Sequence, residues 1–170
     1  MLYVYTGDGK GKTTAALGLI MRAYGAGKSC AIVFFDKNSE FCNELTTLKE
    51  LGIQSYIFGM NRMYDGEFRL TNTEEDFRET SKALNMACTL AKNEIDILVL
   101  DEFLNAVRLN LLPLGEALGF IDSWPVDKYL VITGRGLPEE IKTRANLISE
   151  VLSLKHPLDA GATAQKGIDY

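Results

Sequence analysis

The sequence predicts an α/β fold, a mostly parallel sheet with helices on both faces. Three observations predict it. Short apolar segments alternate with stretches of helical period along the chain. Those segments are apolar without alternation, as strands buried on both faces are. The first of them also runs through a glycine-rich loop directly into an Ala/Leu-rich helix, the junction such sheets are built from. Residues 1–170 read as one domain, because no repeat, low-complexity linker or shift of composition divides them.

Leu2 to Tyr5 is the first strand. Thr14 to Tyr24 is the first helix, closed by Gly25-Ala26-Gly27, with Arg22 near its negative end. Cys30 to Phe35 is the second strand. Leu45, Leu48 and Leu51 recur at helical spacing until Gly52 stops the helix, and Ile53 to Phe58 follows as a strand. Gly59 to Asn72 shows no clear period and reads as a loop carrying Met60, Met63, Tyr64, Phe68 and Leu70 among charges. Thr73 is placed to cap the next helix with Asp76 three residues on, and Phe77, Leu84, Cys88 and Ala91 form its expected inner stripe. Ile95 to Leu100 is a strand with Asp101-Glu102 at its carboxyl end. Two short helical pieces fill Phe103 to Ser123. Lys128 to Thr133 is a strand, Pro138 to Ala145 a helix, Leu147 to Leu152 a short strand, and Lys155 to Tyr170 a tail without regular structure.

Composition narrows the function classes. Hydrophobic residues make up 46% and charged residues 24%, ordinary values for a soluble globular chain. A net charge of −5 argues against a dedicated nucleic-acid binder, which needs a basic face. Cys30, Cys42 and Cys88 are scattered without metal-ligand spacing and read as reduced thiols of a cytoplasmic protein. No apolar run is long enough to cross a bilayer, so no membrane association is expected.

The chemistry sits at the first strand–helix junction, Thr6-Gly7-Asp8-Gly9-Lys10-Gly11-Lys12-Thr13-Thr14. A nucleotide triphosphate is met there by inward-pointing amides, the positive end of the next helix, a lysine and a hydroxyl that can hold Mg²⁺. Lys12 is the phosphate lysine and Thr13 the metal-side hydroxyl. The strict pattern asks for glycine where this chain has Thr6. The loop as a whole points to ATP or a close relative. Asp101, after an apolar strand, is placed to hold Mg²⁺, and Glu102 to bind a metal-bound water or position a substrate. Arg135, in Thr133-Gly134-Arg135-Gly136, follows another strand end and offers a forked clamp for phosphate. Lys10 lies inside the loop. Lys37 lies past the second strand at the same sheet edge, where a nucleotide contact and a solvated surface role are both open. His156, the only histidine, reads as a hydrogen-bonding or structural residue of the tail.

Taken in order, Thr6 to Ala16, Val99-Leu100-Asp101-Glu102, Thr133-Gly134-Arg135 and the closing stretch from Glu150-Val151 through Lys155-His156-Pro157 to Gly167-Ile168-Asp169-Tyr170 resemble the phosphate-loop corrinoid adenosyltransferases. The resemblance covers nearly the whole chain, and its closing segment is the specific part. It implies a RecA-like P-loop NTPase fold and a cytoplasmic homodimer, with a flavoprotein as an expected reductant. The implied reaction transfers the 5′-deoxyadenosyl group of ATP to the cobalt of a reduced corrinoid, cob(I)alamin or cob(I)yrinic acid a,c-diamide, and releases triphosphate. By the same resemblance Lys12, Thr13 and the loop amides hold phosphates, Asp101 and Glu102 form the acidic pair near Mg²⁺, and Arg135 is the arginine after the sheet strand.

Two stretches depart from the family pattern. Phe34-Phe35-Asp36-Lys37-Asn38 stands where relatives usually carry Gln-Phe-Ile-Lys-Gly, and Phe68-Arg69-Leu70 where they usually carry Phe-Thr-Trp. Gly59 to Asn72 is expected to cover the corrin, with Phe68 and Leu70 as contacts and Arg69 as a partner for a corrin carboxylate. Two other readings stay open: a P-loop ATPase or kinase cleaving at the γ-phosphate, and a non-catalytic corrinoid- and nucleotide-binding protein.

Overall fold

The computed structural model describes residues 1–38, 40, 42–60, 62–64, 67–69, 71–157 and 161–169. In chain order these form β1 (Leu2–Thr6), α1 (Lys12–Gly25), β2 (Cys30–Phe34), α2 (Glu44–Glu50), β3 (Gln54–Ile57), β4 (Met63–Tyr64) and β5 (Glu67–Phe68). There follow α3 (Glu74–Ala91), β6 (Ile97–Asp101), α4 (Phe103–Arg108), α5 (Leu114–Ser123), β7 (Tyr129–Thr133), α6 (Glu139–Lys142) and β8 (Leu147–Glu150).

Six strands make one all-parallel sheet in the order β3-β2-β6-β7-β1-β8. The central strands are buried along their length, which explains their unbroken apolar sequences. Alternate strand residues feed two cores. Val4, Val33, Leu98, Leu100 and Ile132 meet Ala83, Phe103, Phe120 and Ile141 of α3–α6, whereas Ile32, Phe34, Val99 and Val131 meet Ala16 and Ile20 of α1 and Leu45 and Leu48 of α2. Helices therefore cover both faces. Because every strand runs the same way, the carboxyl ends of β1, β2, β6 and β7 open on one edge, where ligands of such sheets bind.

Two expectations about local structure are corrected. The stretch 59–72 contains a small antiparallel pair, Met63 opposite Phe68 and Tyr64 opposite Glu67, too short to leave a period in sequence. The buried stripe of α3 is Asp76, Thr80, Ala83, Ala87 and Leu90, while Phe77 is 46% exposed. Leu84, Cys88 and Ala91 pack against the core only partly buried. The helix is turned about one residue from its most apolar face. Asp76 must reach two arginines, and the small Ala83 and Ala87 let the helix settle close on the sheet. The cap at its start is as expected: the Thr73 hydroxyl accepts from the Asp76 amide, and the Asp76 carboxylate accepts from the Thr73 amide at 2.7 Å.

Candidate nucleotide site

β1 delivers the loop at Thr6, the last residue of the strand, whose carbonyl accepts from the Val151 amide at 2.8 Å. Thr6 is thus an extended strand residue, and no glycine is demanded there. Glycine is demanded at the two positions that follow it in the loop. A Cβ on Gly7 would lie 2.5 Å from the Val151 carbonyl oxygen, and one on Gly9 would lie 2.6 Å from that of Leu152. The loop is therefore seated against the chain leaving β8, and the Gly9 amide donates to the Val151 carbonyl at 2.8 Å. Gly11, at φ 122°, then turns the chain into α1, so that Lys12 and Thr13 stand in its first turn. The Lys12 ammonium is buried and donates to the Gly9 carbonyl at 2.8 Å. Burial pushes its pKa down, a tendency that the charges of Glu102, Asp8 and Asp101 partly offset and that of Arg135 reinforces.

A cavity of about 400 Å³ opens over this loop. Asp8, Gly9, Lys10, Gly11, Lys12, Thr13 and Thr14 line it together with Lys37, Glu102 and Arg135; Thr6 and Gly7 support the loop from beneath and do not line it. Leu17, Asn43, Glu44, His156 and the tail residues Gly167, Ile168 and Asp169 complete the wall. His156 and the tail residues fall in the closing segment that the resemblance singled out, but nothing in that segment alone brings them to the loop. The tail reaches the site because Lys10 donates to the Ile168 carbonyl at 2.8 Å and pairs with Asp169. That contact spans nearly the whole chain, so no local pattern could announce it.

β6 brings Asp101 beside the site with its side chain fully buried; like Thr6 and Gly7 it does not line the cavity. The Thr133 hydroxyl, from the end of β7, donates to Asp101 Oδ1 at 2.6 Å and accepts from the Glu102 amide at 2.9 Å. Thr13 donates to Asp101 Oδ2 at 3.2 Å, and Lys37 Nζ lies 2.6 Å from the same oxygen. Lys37 is therefore an inward-facing residue, not a solvated one. Burial works against its charge, but the Asp101 carboxylate outweighs this and holds the ammonium above its ordinary range. The donor set of Thr13, Asp101 and Glu102 is all oxygen, which suits a hard divalent ion. Among the described residues no cluster of three His, Cys, Asp or Glu side chains could hold a metal alone. Mg²⁺ does not need one, since it binds through one or two carboxylates plus phosphates and water.

Glu102 sits at φ 58°, the left-handed region, between β6 and α4. A non-glycine residue held there costs about 1–3 kcal/mol, and such strain concentrates at functional sites. Its Oε2 is buried with no hydrogen-bond partner among the described residues. Burial first, and the Asp101 charge second, push its carboxyl up to about 6 from 4.5. A pKa raised on folding means that this group's contribution is fully present below pH 4.5 and is lost as pH rises through about 6. Glu102→Gln should therefore be more stable than the wild type at neutral pH by about 2 kcal/mol, with the gap closing in acid. Thermal melts of both proteins across that range measure it; a gap that does not change with pH would mean that ionisation of Glu102 is not what costs stability.

Arg135 follows β7 at Gly134, where a Cβ would meet the Asn105 amide nitrogen at 2.9 Å. Its amide donates to Asn105 Oδ1 at 2.8 Å, and its guanidinium reaches the Asp8 carbonyl at 3.2 Å while half exposed. The fork is thus tethered loosely at the rim.

The stretch 59–72 is anchored by charge. Arg62 Nε donates to Asp36 Oδ1 at 2.6 Å and its Nη2 lies 3.6 Å from Asp76 Oδ1. Arg69 grips the same Asp76 with two bonds, at 2.7 and 2.9 Å. In this structure Arg69 gives its fork to Asp76, so a corrin carboxylate would have to compete with that pair. The two departures from the family pattern, Asp36 and Arg69, belong to one network with Arg62 and Asp76 between them. Sequence reasoning missed Arg62, Asp36 and Asp76 in this role. Leu70 and the Phe68 side chain lie outside the described residues.

Comparison with known proteins matches this arrangement to one family. The family model for the ATP:corrinoid adenosyltransferase BtuR/CobO/CobP matches residues 1–170. A corrinoid adenosyltransferase of Escherichia coli (strain K12) is 35% identical over 170 residues, covering 100% of this chain and 85% of that protein. Corrinoid adenosyltransferase CobA of Salmonella typhimurium (strain LT2) gives the same identity and coverage. A corrinoid adenosyltransferase of Pseudomonas aeruginosa is 28% identical over 173 residues, covering 100% of this chain and 83% of that protein. With a match from the first residue to the last, the chain belongs to the ATP:corrinoid adenosyltransferase family.

Proposed function

We propose that this protein transfers the 5′-deoxyadenosyl group of ATP to the cobalt of a reduced corrinoid and releases triphosphate. The observation that carries this reading is the full-length family match, on a chain whose phosphate loop shares one cavity with Glu102 and bonds through Thr13 to Asp101 buried beside it. In the reaction the electron pair of Co(I) attacks the ribose C5′, the C5′–O bond breaks, and the triphosphate leaves with that bond's electrons. Co(I) is itself the nucleophile, so no activated serine or cysteine is required. The protein has to align cobalt, C5′ and the leaving oxygen, and to meet the charge that grows on the triphosphate.

In this reading the loop amides and Lys12 hold the phosphates, Lys12 exchanging the Gly9 carbonyl for a phosphate oxygen. Lys10, Thr14 and Lys37 stand within reach from the walls, and Arg135 closes from the rim. Thr13, Asp101 and Glu102 hold Mg²⁺, which neutralises charge on the leaving group when bound. The corrin lies under the stretch 59–72, whose apolar residues, Phe68 and Leu70 among them, keep water from its upper face. The same reading includes residues 1–170 acting as one domain, a homodimer, a flavoprotein electron donor and a cytoplasmic setting. No helix among the described residues is long and apolar enough to cross a membrane.

Incubation with ATP, Mg²⁺ and chemically reduced corrinoid should yield triphosphate and a light-sensitive cobalt–carbon product, both abolished by excess chelator. Release of ADP would establish γ-phosphate chemistry instead. Corrinoid binding without alkylation would establish a carrier.

A further inference from the structure

Lys37 Nζ lies 2.6 Å from Asp101 Oδ2 and 3.5 Å from the Thr13 hydroxyl. It therefore touches two of the three oxygen groups assigned above to the divalent ion. It also stands 3.9 Å from Glu44 and 5.1 Å from the centroid of the Phe34 ring. An ammonium and a divalent cation on one carboxylate oxygen repel each other strongly, even in a partly wet site. We propose that Lys37 and the divalent ion exclude one another at Asp101, and that Lys37 moves from Asp101 to the triphosphate when metal and nucleotide enter together. This rests on the nucleotide reading of the cavity and adds to it an order of events.

The backbone around Lys37 is held, so the exchange belongs to its side chain. The Lys37 amide donates to the Phe58 carbonyl at 3.2 Å. Asp36, before it, takes the left-handed φ of 50° and is tied to Arg62. A Cβ on Gly59 would lie 2.4 Å from the Lys37 amide nitrogen, so that close crossing leaves the chain no slack. The four-carbon stem remains, and it already lines the cavity. Swinging it is favourable only if something else satisfies both ends of the pair. Free metal alone would satisfy Asp101 and strand the buried ammonium beside a dication. A metal–triphosphate complex satisfies both, because it carries its own negative charge for Lys37. The site should thus discriminate against free metal and for the metal–nucleotide complex.

Mn²⁺ binding followed by electron paramagnetic resonance, with no corrinoid present, tests this. Lys37→Met, and Lys37→Gln as a second variant that keeps a donor for Asp101, should bind free Mn²⁺ about tenfold more tightly than the wild type. The same variants should bind Mn²⁺·ATP about tenfold more weakly. A general loosening of the structure would weaken both, so the opposite signs identify the exchange. Unchanged free-Mn²⁺ affinity in a folded variant, shown by its circular dichroism, overturns the proposal, as does equal Mn²⁺·ATP affinity in wild type and variants. If the wild type itself binds no Mn²⁺·ATP, the nucleotide reading falls and the exchange with it.

Discussion

Lys12→Ala should lower the rate of triphosphate release by about 10²–10³-fold, the loss seen when one preorganised electrostatic group is removed from a reacting oxygen. The side chain is 7% exposed and its only hydrogen bond among the described residues is to the Gly9 carbonyl. It is thus a charge kept partly dehydrated against a nearby loop oxygen, with little to reorganise on meeting a phosphate. Alanine is an excellent helix former, so the first turn of α1 should survive. Loss of a partly desolvated ammonium removes little from stability, and the effect should appear in chemistry and not in folding. Initial rates at saturating ATP and reduced corrinoid, with a thermal melt as control, measure it. Near-normal turnover would remove Lys12 from the transition state.

The second large effect should fall on stability. Asp76→Ala removes the carboxylate that takes two bonds from Arg69, faces Arg62 and accepts from both the amide and hydroxyl of Thr73. Arg62 is 4% exposed, so half of its compensation would vanish with no water to replace it. Breaking a buried ion pair on one side, together with a helix cap, costs about 4 kcal/mol. The wild-type carboxyl is pushed up by burial but held well below 3.8 by Arg69, Thr73 and Arg62, which win. A pKa depressed on folding gives stability that is present above 3.8 and is lost only as pH falls through the lower folded value. Chemical denaturation should therefore show the variant deficit at neutral pH, shrinking in strong acid where the wild type also loses the pair. A deficit under 1 kcal/mol or so would mean that the network is solvated.

How far the sequence speaks depends on the range over which each feature is encoded. The central strands were legible to within a residue or two, because burial on both faces writes an unbroken apolar run, as in Cys30–Phe34. The phosphate loop was legible because its glycines, lysine and hydroxyl are consecutive. The face of α3 was not. Its apolar stripe includes Phe77, yet an acid, Asp76, turns inward, and that preference is set by Arg62 and Arg69 from another segment. Lys37 was ambiguous for the same reason: its partner, Asp101, is 64 residues away on the neighbouring strand. The Lys10–Asp169 pair joins the two ends of the chain and leaves no local sign. What was missed is long-range pairing of charges, the part of a fold that periodicity does not record.

The order of the sheet has a consequence for how the chain is made. β1 is translated well before its neighbours in the sheet, β7 and β8. The seat for Gly7 and Gly9 is Val151 and Leu152, later still. Contacts of such separation form slowly, and an N-terminal segment waits for them unpaired. A growing or truncated chain thus displays the whole loop sequence without the surface that shapes it. The loop takes its working form only after Val151 and Leu152 have been made, so a chain cut before them has no preformed cradle in which to sequester nucleotide.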